Sequence, residues 1–304
     1  MTKLAYVFPG QGSQAVGMGQ DIYFRFASAR RVFEEADEAL GFSLSRLCFE
    51  GPEEELIKTV NVQPAVLTVS IAYLKAAREA DGAVLPPPDF VAGHSLGQYS
   101  ALVAAGVLSL ADAVRLVRER GRLMYEAGLT APGGMLAVIG ADEGLIREFC
   151  DATGAQVSNI NAPGQIVVSG ALTDLEEFKS LASQKGVRRI IPLKVSGAFH
   201  SRLMQPAADG LKRAIANCTF NCPDVPVISN VTAGALYDPE SIKQELANQL
   251  TACVLWQKSI QNMVRDGATA FCEIGHGQVL SGLIKRIDPA VQVSHIADLL
   301  KVTS

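Results

Sequence analysis

The sequence lacks a strong charge imbalance, a long apolar run and a recognisable leader. Its 304 residues carry 27 Lys and Arg against 31 Asp and Glu, a formal net charge of -4. Proteins that hold nucleic acid or anionic membranes by bulk charge are usually far more basic. No stretch approaches the roughly 18 consecutive apolar residues of a membrane-spanning helix, and no leader-like segment precedes the first predicted strand. We therefore expect a cytoplasmic protein with neither a membrane nor a nucleic-acid partner.

Paired cysteines are also missing. Six cysteines are scattered along the chain, and only Cys218 and Cys222 lie close together, without a second pair or histidines at zinc spacing. We expect buried free thiols and no metal site. Hydrophobic residues make up 48% of the chain, which is enough for a substantial core without covalent cross-links.

The order of patterns along the chain predicts an α/β fold. Short apolar runs with strand propensity alternate with helix-spaced patterns, and this alternation is typical of a parallel sheet covered by helices. Helices are predicted at 21–40, 63–80, 239–250 and 256–266, and strands at 225–231 and 268–274. Residues 82–88 contain three consecutive prolines and are predicted to form a surface connection.

The middle of the chain has a different pattern. The predicted order there is β-α-β-β-α-β, with a hairpin turn at 161–164 between the two central strands. The strands are predicted at 135–139, 157–160, 166–169 and 188–193. We therefore expect an α/β-hydrolase-like domain, formed by 1–125 and 198–304, with a ferredoxin-like subdomain inserted at 126–197.

One stretch carries a candidate nucleophile. Gly93-His94-Ser95-Leu96-Gly97 matches G-x-S-x-G, in which small residues allow a strand and a helix to meet in a sharp turn that exposes the serine. The pattern alone also occurs by chance, but an apolar strand pattern precedes it and a small, apolar helix pattern follows it. The serine hydroxyl would lie near the first N–H groups of that helix, where negative charge on an acyl oxygen is favoured. The geometry is that of an acyl-transfer nucleophile.

An arginine interrupts the apolar face of another predicted helix. With Ser109 as its N-cap, this helix places Arg120 among Leu116, Val117 and Leu123 rather than on its charged face. Burying an unpaired charge is costly, so Arg120 needs a carboxylate. Either a protein carboxylate or a substrate carboxylate could serve, and a guanidinium that reaches solvent is the third alternative.

A serine nucleophile needs a base, and the sequence contains four histidines. His94 adjoins Ser95 and would point away from it, and His295 belongs to a predicted terminal strand. His200, on a glycine-bearing loop, and His276, after a strand, remain as alternatives. The spacing favours His200 only weakly.

Taken together in order, several motifs resemble the acyltransferase family of malonyl-CoA:acyl carrier protein transacylases. The resemblance covers nearly the whole chain. The motifs are Pro9-Gly-Gln-Gly-Ser-Gln14, Gln63-Pro64, Gly93-His-Ser-Leu-Gly97, Arg120, Gly197-Ala-Phe-His200 and Glu273-Ile-Gly275.

The resemblance implies a role for each matching residue. Ser95 would be the nucleophile, His200 its general base and acid, and Arg120 the partner of the malonyl carboxylate. The N–H groups of Gln11 and Leu96 would form the oxyanion hole, and the main-chain carbonyl of Gln249 would orient the histidine. Further substrate-binding residues would be Gln63, Phe199 and Asn161.

The family reaction implies malonyl-CoA as substrate, an acyl carrier protein as partner, and neither a cofactor nor a metal. A serine hydrolase such as a thioesterase and a non-catalytic docking module are the rival classes. A hydrolase would be expected to supply an acidic third residue and would have no use for a buried arginine. The sequence leaves open the pathway, which can be fatty-acid, polyketide or malonate metabolism, and the carrier and oligomeric state.

Overall fold

The computed structural model describes residues 3–80 and 85–302. The strands are β1 (Lys3–Phe8), β2 (Phe90–Gly93), β3 (Gly133–Ile139), β4 (Gln156–Ala162), β5 (Gln165–Ala171), β6 (Arg189–Pro192), β7 (Val227–Ile228), β8 (Ala235–Leu236), β9 (Ala268–Glu273) and β10 (Gln292–His295). The helices are α1 (Gln20–Arg25), α2 (Ala27–Leu40), α3 (Leu44–Glu50), α4 (Glu53–Leu56), α5 (Thr59–Glu79), α6 (Gly97–Ala104), α7 (Leu110–Thr130), α8 (Glu143–Thr153), α9 (Leu172–Gln184), α10 (Gln205–Ala216), α11 (Pro239–Gln249), α12 (Trp256–Arg265), α13 (Val279–Ile287) and α14 (Ile296–Leu300).

Within these residues the larger sheet has the strand order β10-β9-β1-β2-β7-β8. All neighbouring strands pair in parallel except β7 and β8. Its central strand β1 is buried on both faces, because Ala5 and Val7 join one hydrophobic core while Tyr6 and Phe8 join the other. The predicted α/β fold with a parallel sheet is confirmed.

The carboxyl ends of the central strands come together at one edge of this sheet. β1 leads into the Pro9–Gly10–Gln11 loop, and its neighbour β2 leads directly to Ser95. The order of strands reverses at β1, since the chain reaches β2 on one side and β9 on the other. Such an edge is the usual position of a ligand crevice in an open α/β sheet.

The smaller sheet has the order β4-β5-β3-β6, and all of its pairs are antiparallel. With α8 and α9 it forms the predicted β-α-β-β-α-β order, and side chains such as Leu136, Phe149 and Phe178 build a separate core. The turn prediction was too long: β4 extends to Ala162, so Asn161 lies in a strand and Pro163–Gly164 makes the turn. The helix α7 runs through the boundary expected at residue 125 and ends at Thr130.

The single helix predicted at 21–40 is wrong, because α1 and α2 are separated at Phe26. Phe26 has extended backbone angles, with φ at -123° and ψ at 123°. Glu79, at the end of α5, accepts hydrogen bonds from the N–H groups of Ala27 and Ser28, at 3.2 and 2.6 Å. The carboxylate of a residue on a distant helix therefore caps α2. No residue near Phe26 indicates the break in the sequence.

The strand predicted at 225–231 is reduced to the two residues of β7. Pro226 has no N–H to donate, and Ser229 already turns the chain towards β8 through its N–H bond to Gly234 O, at 2.8 Å. Of the predicted surface connection, residues 82–84 lie outside the described residues, whereas Pro86 and Pro87 are exposed.

The cysteines follow the prediction in part. All six are free, and Cys48, Cys150 and Cys272 are buried, but Cys222 is exposed. No helix of the described segments has the length and apolar character needed to cross a membrane.

Candidate active site

Ser95 occupies the sharp turn between β2 and α6. Its φ is +52°, in the left-handed region that non-glycine residues seldom adopt. Glycines are required around it: a Cβ on Gly93 would lie 1.9 Å from the carbonyl of Gly97, and a Cβ on Gly97 would lie 2.1 Å from Phe8 O. The predicted strand, strained turn and helix are confirmed.

A side chain outside the turn fixes its backbone. Asn230, just beyond β7, accepts a hydrogen bond from Ser95 N at 2.7 Å and donates one to Gly93 O at 2.8 Å. Both peptide groups of the turn are thereby tied to the next strand of the sheet, so the strained conformation at Ser95 is held from outside.

Replacing Gly97 by alanine should destabilise the protein. The new Cβ would meet Phe8 O, a main-chain atom that cannot move without displacing β1, and we expect a loss of about 3 kcal/mol in the free energy of unfolding. Gly282→Ala is the control, since an added Cβ there contacts nothing within 4 Å and replaces glycine in a helix, for an expected gain of about 0.5–1 kcal/mol. Urea titrations measure both. Equal stabilities for the two variants would contradict the packing described here.

His200 is the histidine that meets the serine. Its Nε2 lies 2.8 Å from Ser95 Oγ, and its Nδ1 lies 2.8 Å from the main-chain oxygen of Gln249. A carbonyl oxygen only accepts, so Nδ1 carries the proton and Nε2 can accept the serine hydrogen. The orienting group is therefore a carbonyl at the end of α11, not a carboxylate. Like Ser95, His200 has a left-handed backbone conformation, with φ at +57°.

The other three histidines have different surroundings. Nε2 of His94 is 2.8 Å from Asn161 Oδ1, which directs its ring towards β4 and away from the serine hydroxyl. His276 borders a separate surface depression beside α1, and Nδ1 of His295 accepts from Ala297 N at the start of α14. Of the alternatives left open by the sequence, His200 is the one in contact with Ser95.

Arg120 lies on the apolar face of α7, as the periodicity predicted, and 1% of its surface is exposed, which excludes the alternative of a guanidinium that reaches solvent. Its Nη1 donates to Gln63 Oε1 at 2.9 Å, and its Nη2 donates to Gln249 Oε1 at 2.9 Å and to Ser95 Oγ at 3.1 Å. All three acceptors are neutral. No carboxylate among the described residues pairs with this guanidinium, so its charge remains available for an anionic ligand.

Burial and the adjacent Arg120 charge lower the pKa of His200 from its ordinary 6.5 to about 3, while the bond to Gln249 O acts in the opposite direction. Both dominant causes disfavour the imidazolium form. A base must be unprotonated to act, so the lowered pKa keeps His200 competent in acid solution.

A flat pH profile is the expected consequence. Between about pH 7.5 and 5, kcat/KM for attack by Ser95 on a substrate should change less than about twofold, whereas a histidine with the ordinary pKa would become protonated and reduce it about 30-fold. The fluorescence of Trp256, the one tryptophan of the chain and fully buried, controls for unfolding. An acid limb centred near pH 6.5 in folded protein would contradict this environment for His200.

A cavity of about 240 Å³ opens over these groups. It lies between the carboxyl edge of the parallel sheet and the antiparallel sheet. The lining includes the predicted residues Gln11, Ser95, Leu96, Arg120, Asn161, Phe199 and His200. The remaining two, Gln63 and Gln249, lie behind Arg120 and hold its guanidinium. All nine predicted site residues are therefore at or directly behind one cavity.

The sequence reasoning missed several residues of the site. No sequence pattern indicated Asn230, because the strand that precedes it has only two residues. The start of α13 also lines the cavity, with Val279, Leu280 and Leu283. Glu245 gave a signal that was overlooked: on α11 it shares the buried positions of Ile242, Leu246 and Gln249, so it is a second charged residue on an apolar face.

The fold and this arrangement define a serine acyltransferase class, and the chain belongs to the acyl transferase domain family, whose model matches residues 5–301. A malonyl CoA-acyl carrier protein transacylase of Bacillus subtilis is 46% identical over 303 residues, covering 98% of this chain and 94% of that protein.

Solved structures agree with this assignment. An acyl-carrier-protein S-malonyltransferase from Bartonella henselae superposes with a TM-score of 0.95 at 42% identity, covering 99% and 98% of the two chains. A malonyl-transacylase solved in complex with its type II polyketide acyl-carrier protein has a TM-score of 0.92 at 39% identity, covering 97% and 95%.

Proposed function

We propose that this protein transfers the malonyl group of malonyl-CoA to the phosphopantetheine thiol of an acyl carrier protein, for fatty-acid or polyketide synthesis. The observation that carries the proposal is the presence, in one cavity, of a serine–histidine pair and a buried arginine that pairs with no carboxylate of residues 3–80 and 85–302. The names of the relatives at 39 to 46% identity support the same reaction.

The first half-reaction forms a malonyl-serine. Ser95 Oγ attacks the thioester carbonyl carbon while His200 Nε2 takes the hydroxyl proton. The N–H groups of Gln11 and Leu96, which line the cavity, stabilise the negative oxygen of the tetrahedral intermediate. The carbon–sulfur bond then breaks, and His200 returns the proton to the departing CoA sulfur. In the second half-reaction the carrier thiol gives its proton to His200 and attacks the ester carbonyl carbon. The carbon–oxygen bond then breaks, and His200 returns the proton to Ser95 Oγ.

Arg120 selects the acyl group. A malonyl group carries a carboxylate two carbons beyond the carbonyl that Ser95 attacks, and Arg120 Nη2 lies 3.1 Å from the attacking oxygen. A planar guanidinium can hold both carboxylate oxygens, and this pair is strong in a site with little water. Gln63 and Gln249 hold the guanidinium through amide oxygens and so do not neutralise it.

Phe199 and Asn161 complete the acyl pocket in this proposal. Phe199 is 6% exposed at the cavity wall, where its ring limits the space beside the malonyl methylene. Such a wall discriminates against one extra methyl group by only about 1–3 kcal/mol, so exclusion of methylmalonyl groups would be weaker than exclusion of acetyl groups.

The proposed exchange needs no redox cofactor, since a thioester, an oxygen ester and a second thioester have the same oxidation state. It needs no metal in this proposal, because His200 moves the proton and the N–H groups of Gln11 and Leu96 stabilise the oxyanion. We also propose a cytoplasmic location.

Product partition tests the proposal against hydrolysis. The protein is mixed with malonyl-CoA, with and without the holo form of an acyl carrier protein, and the carrier mass, free CoA and free malonate are followed. We expect most CoA release to be matched by malonylated carrier. Malonate formation at the same rate with and without carrier would indicate a hydrolase instead.

A further inference from the structure

Behind Arg120 a buried row of polar side chains leads to a carboxyl group. Gln249 Nε2 donates to Ser95 O at 3.0 Å and to Gln98 Oε1 at 2.5 Å. Gln98 Nε2 then donates to Glu245 Oε1 at 3.1 Å and to Ile228 O at 3.3 Å. Gln98, Gln249 and Glu245 are at most 5% exposed. We call Glu245, Gln98 and Gln249 the amide relay.

The far end of the relay is surrounded by donors. Glu245 Oε1 receives hydrogen bonds from Asn230 N at 2.7 Å and Val231 N at 3.2 Å, in addition to Gln98. Glu245 Oε2 faces Ser229 Oγ at 2.6 Å. That hydroxyl already accepts from Val231 N and Thr232 N, so its own hydrogen points to Oε2. Every group that faces the carboxyl oxygens therefore donates to them.

These partners give the relay a single direction. Glu245 and the carbonyl of Ile228 accept, so the nitrogen of Gln98 must face them and its oxygen must face Gln249. That oxygen in turn fixes the nitrogen of Gln249 towards Gln98. The oxygen of Gln249 is then left towards Arg120, which can only donate. If the Gln98 amide were turned the other way, its oxygen would face the acceptors Glu245 and Ile228 O. Its nitrogen would then face the nitrogen of Gln249, and both contacts would lose their hydrogen bonds.

We propose that Glu245 and Gln98 are positioning residues for malonyl selection, which act on Arg120 through the side chain of Gln249. Glu245 holds the Gln98 amide, Gln98 holds the Gln249 amide, and the Gln249 oxygen holds the guanidinium in the orientation that receives the substrate carboxylate. This inference rests on the proposed role of Arg120. It assigns the Gln249 side chain a task separate from that of its main-chain oxygen, which bonds to His200.

The readout is the ratio of kcat/KM for malonyl-CoA to that for acetyl-CoA. Gln98→Met keeps the length of the side chain and removes all three hydrogen bonds of its amide group. We expect this ratio to fall about tenfold, the factor that corresponds to one hydrogen bond to a charged group, with the acetyl value changing less than about twofold. A merely structural role would lower both values together and leave the ratio unchanged.

A second variant tests whether the effect of Gln98 on Arg120 passes through the side chain of Gln249. Gln249→Leu removes the side-chain amide and keeps the main-chain carbonyl for His200. Gln98→Met should cause no further fall of the ratio in this background, because the link through which it acts is already absent. Ser259→Ala is the control, since Ser259 is equally buried and bonds to Ser229 O and Leu255 O, outside the relay. Its ratio should equal that of the parent.

If Gln98→Met does not yield folded protein, Gln98→Ala replaces it, because water can occupy the space of the amide, and the ratio should fall in the same direction. The proposed relay would be overturned if the folded Gln98 variant kept the parent's ratio of malonyl to acetyl kcat/KM. It would also be overturned if Gln98→Met lowered this ratio by the same factor in the parent and in Gln249→Leu. A parent that transfers malonyl no faster than acetyl groups would instead overturn the proposed function, so the two failures are distinguishable.

Discussion

Arg120→Ala should reduce kcat/KM for malonyl transfer by about 10² to 10³-fold and leave acetyl transfer within about threefold of the parent. The malonyl carboxylate would enter a site with little water and find no cation, and the loss of one partner from a buried charge pair typically has a cost of this size. An acetyl group has no carboxylate to lose, and the shorter side chain widens its pocket. Initial rates with the two acyl-CoAs measure the effect.

Arg122→Ala is the matched control for that variant. It removes an arginine from the same helix two residues further on, where the guanidinium is exposed and paired with Glu119 and Glu126. Neither rate should change by more than about twofold, since exposed ion pairs contribute little. If Arg120→Ala lowered malonyl and acetyl transfer equally, its role in binding the carboxylate would be refuted.

Ser95→Ala should abolish transfer from every acyl-CoA, with a fall in kcat on the order of 10⁴ to 10⁶-fold. Alanine keeps the Cβ and therefore the turn, so the thermal transition should remain close to that of the parent. Ser100→Ala is the control on α6, where the serine is buried and its hydroxyl has no hydrogen-bond partner among the described residues. That variant should keep its activity, and substantial transfer by folded Ser95→Ala would exclude Ser95 as the nucleophile.

Local patterns allowed two of the central groups to be predicted from the sequence. The turn at Ser95 is specified by glycines a few residues away, because any side chain at Gly93 or Gly97 collides with the backbone. The burial of Arg120 follows from helical periodicity around it. Both predictions depend on neighbours within one or two turns of chain, which is the range over which sequence patterns are informative.

The groups that depend on tertiary contacts were less accessible to sequence reasoning. The choice between His200 and His276 required the topology that brings the loop before α10, rather than the loop after β9, to Ser95. The break at Phe26 depends on the carboxylate of Glu79 from another helix. Asn230 lies beside the turn because the strand before it, β7, pairs with β2 in the sheet. Only Glu245, on the buried face of α11, had a periodic signal of the kind that identified Arg120.

The most direct test of the mechanism is the intact mass of the protein after incubation with malonyl-CoA in the absence of any carrier. Without an acceptor thiol the reaction should stop at the ester, so the protein should gain the mass of one malonyl group, located on Ser95 by peptide mapping and absent from Ser95→Ala. An unchanged mass, or a malonyl group attached to a different residue, would contradict the proposed mechanism.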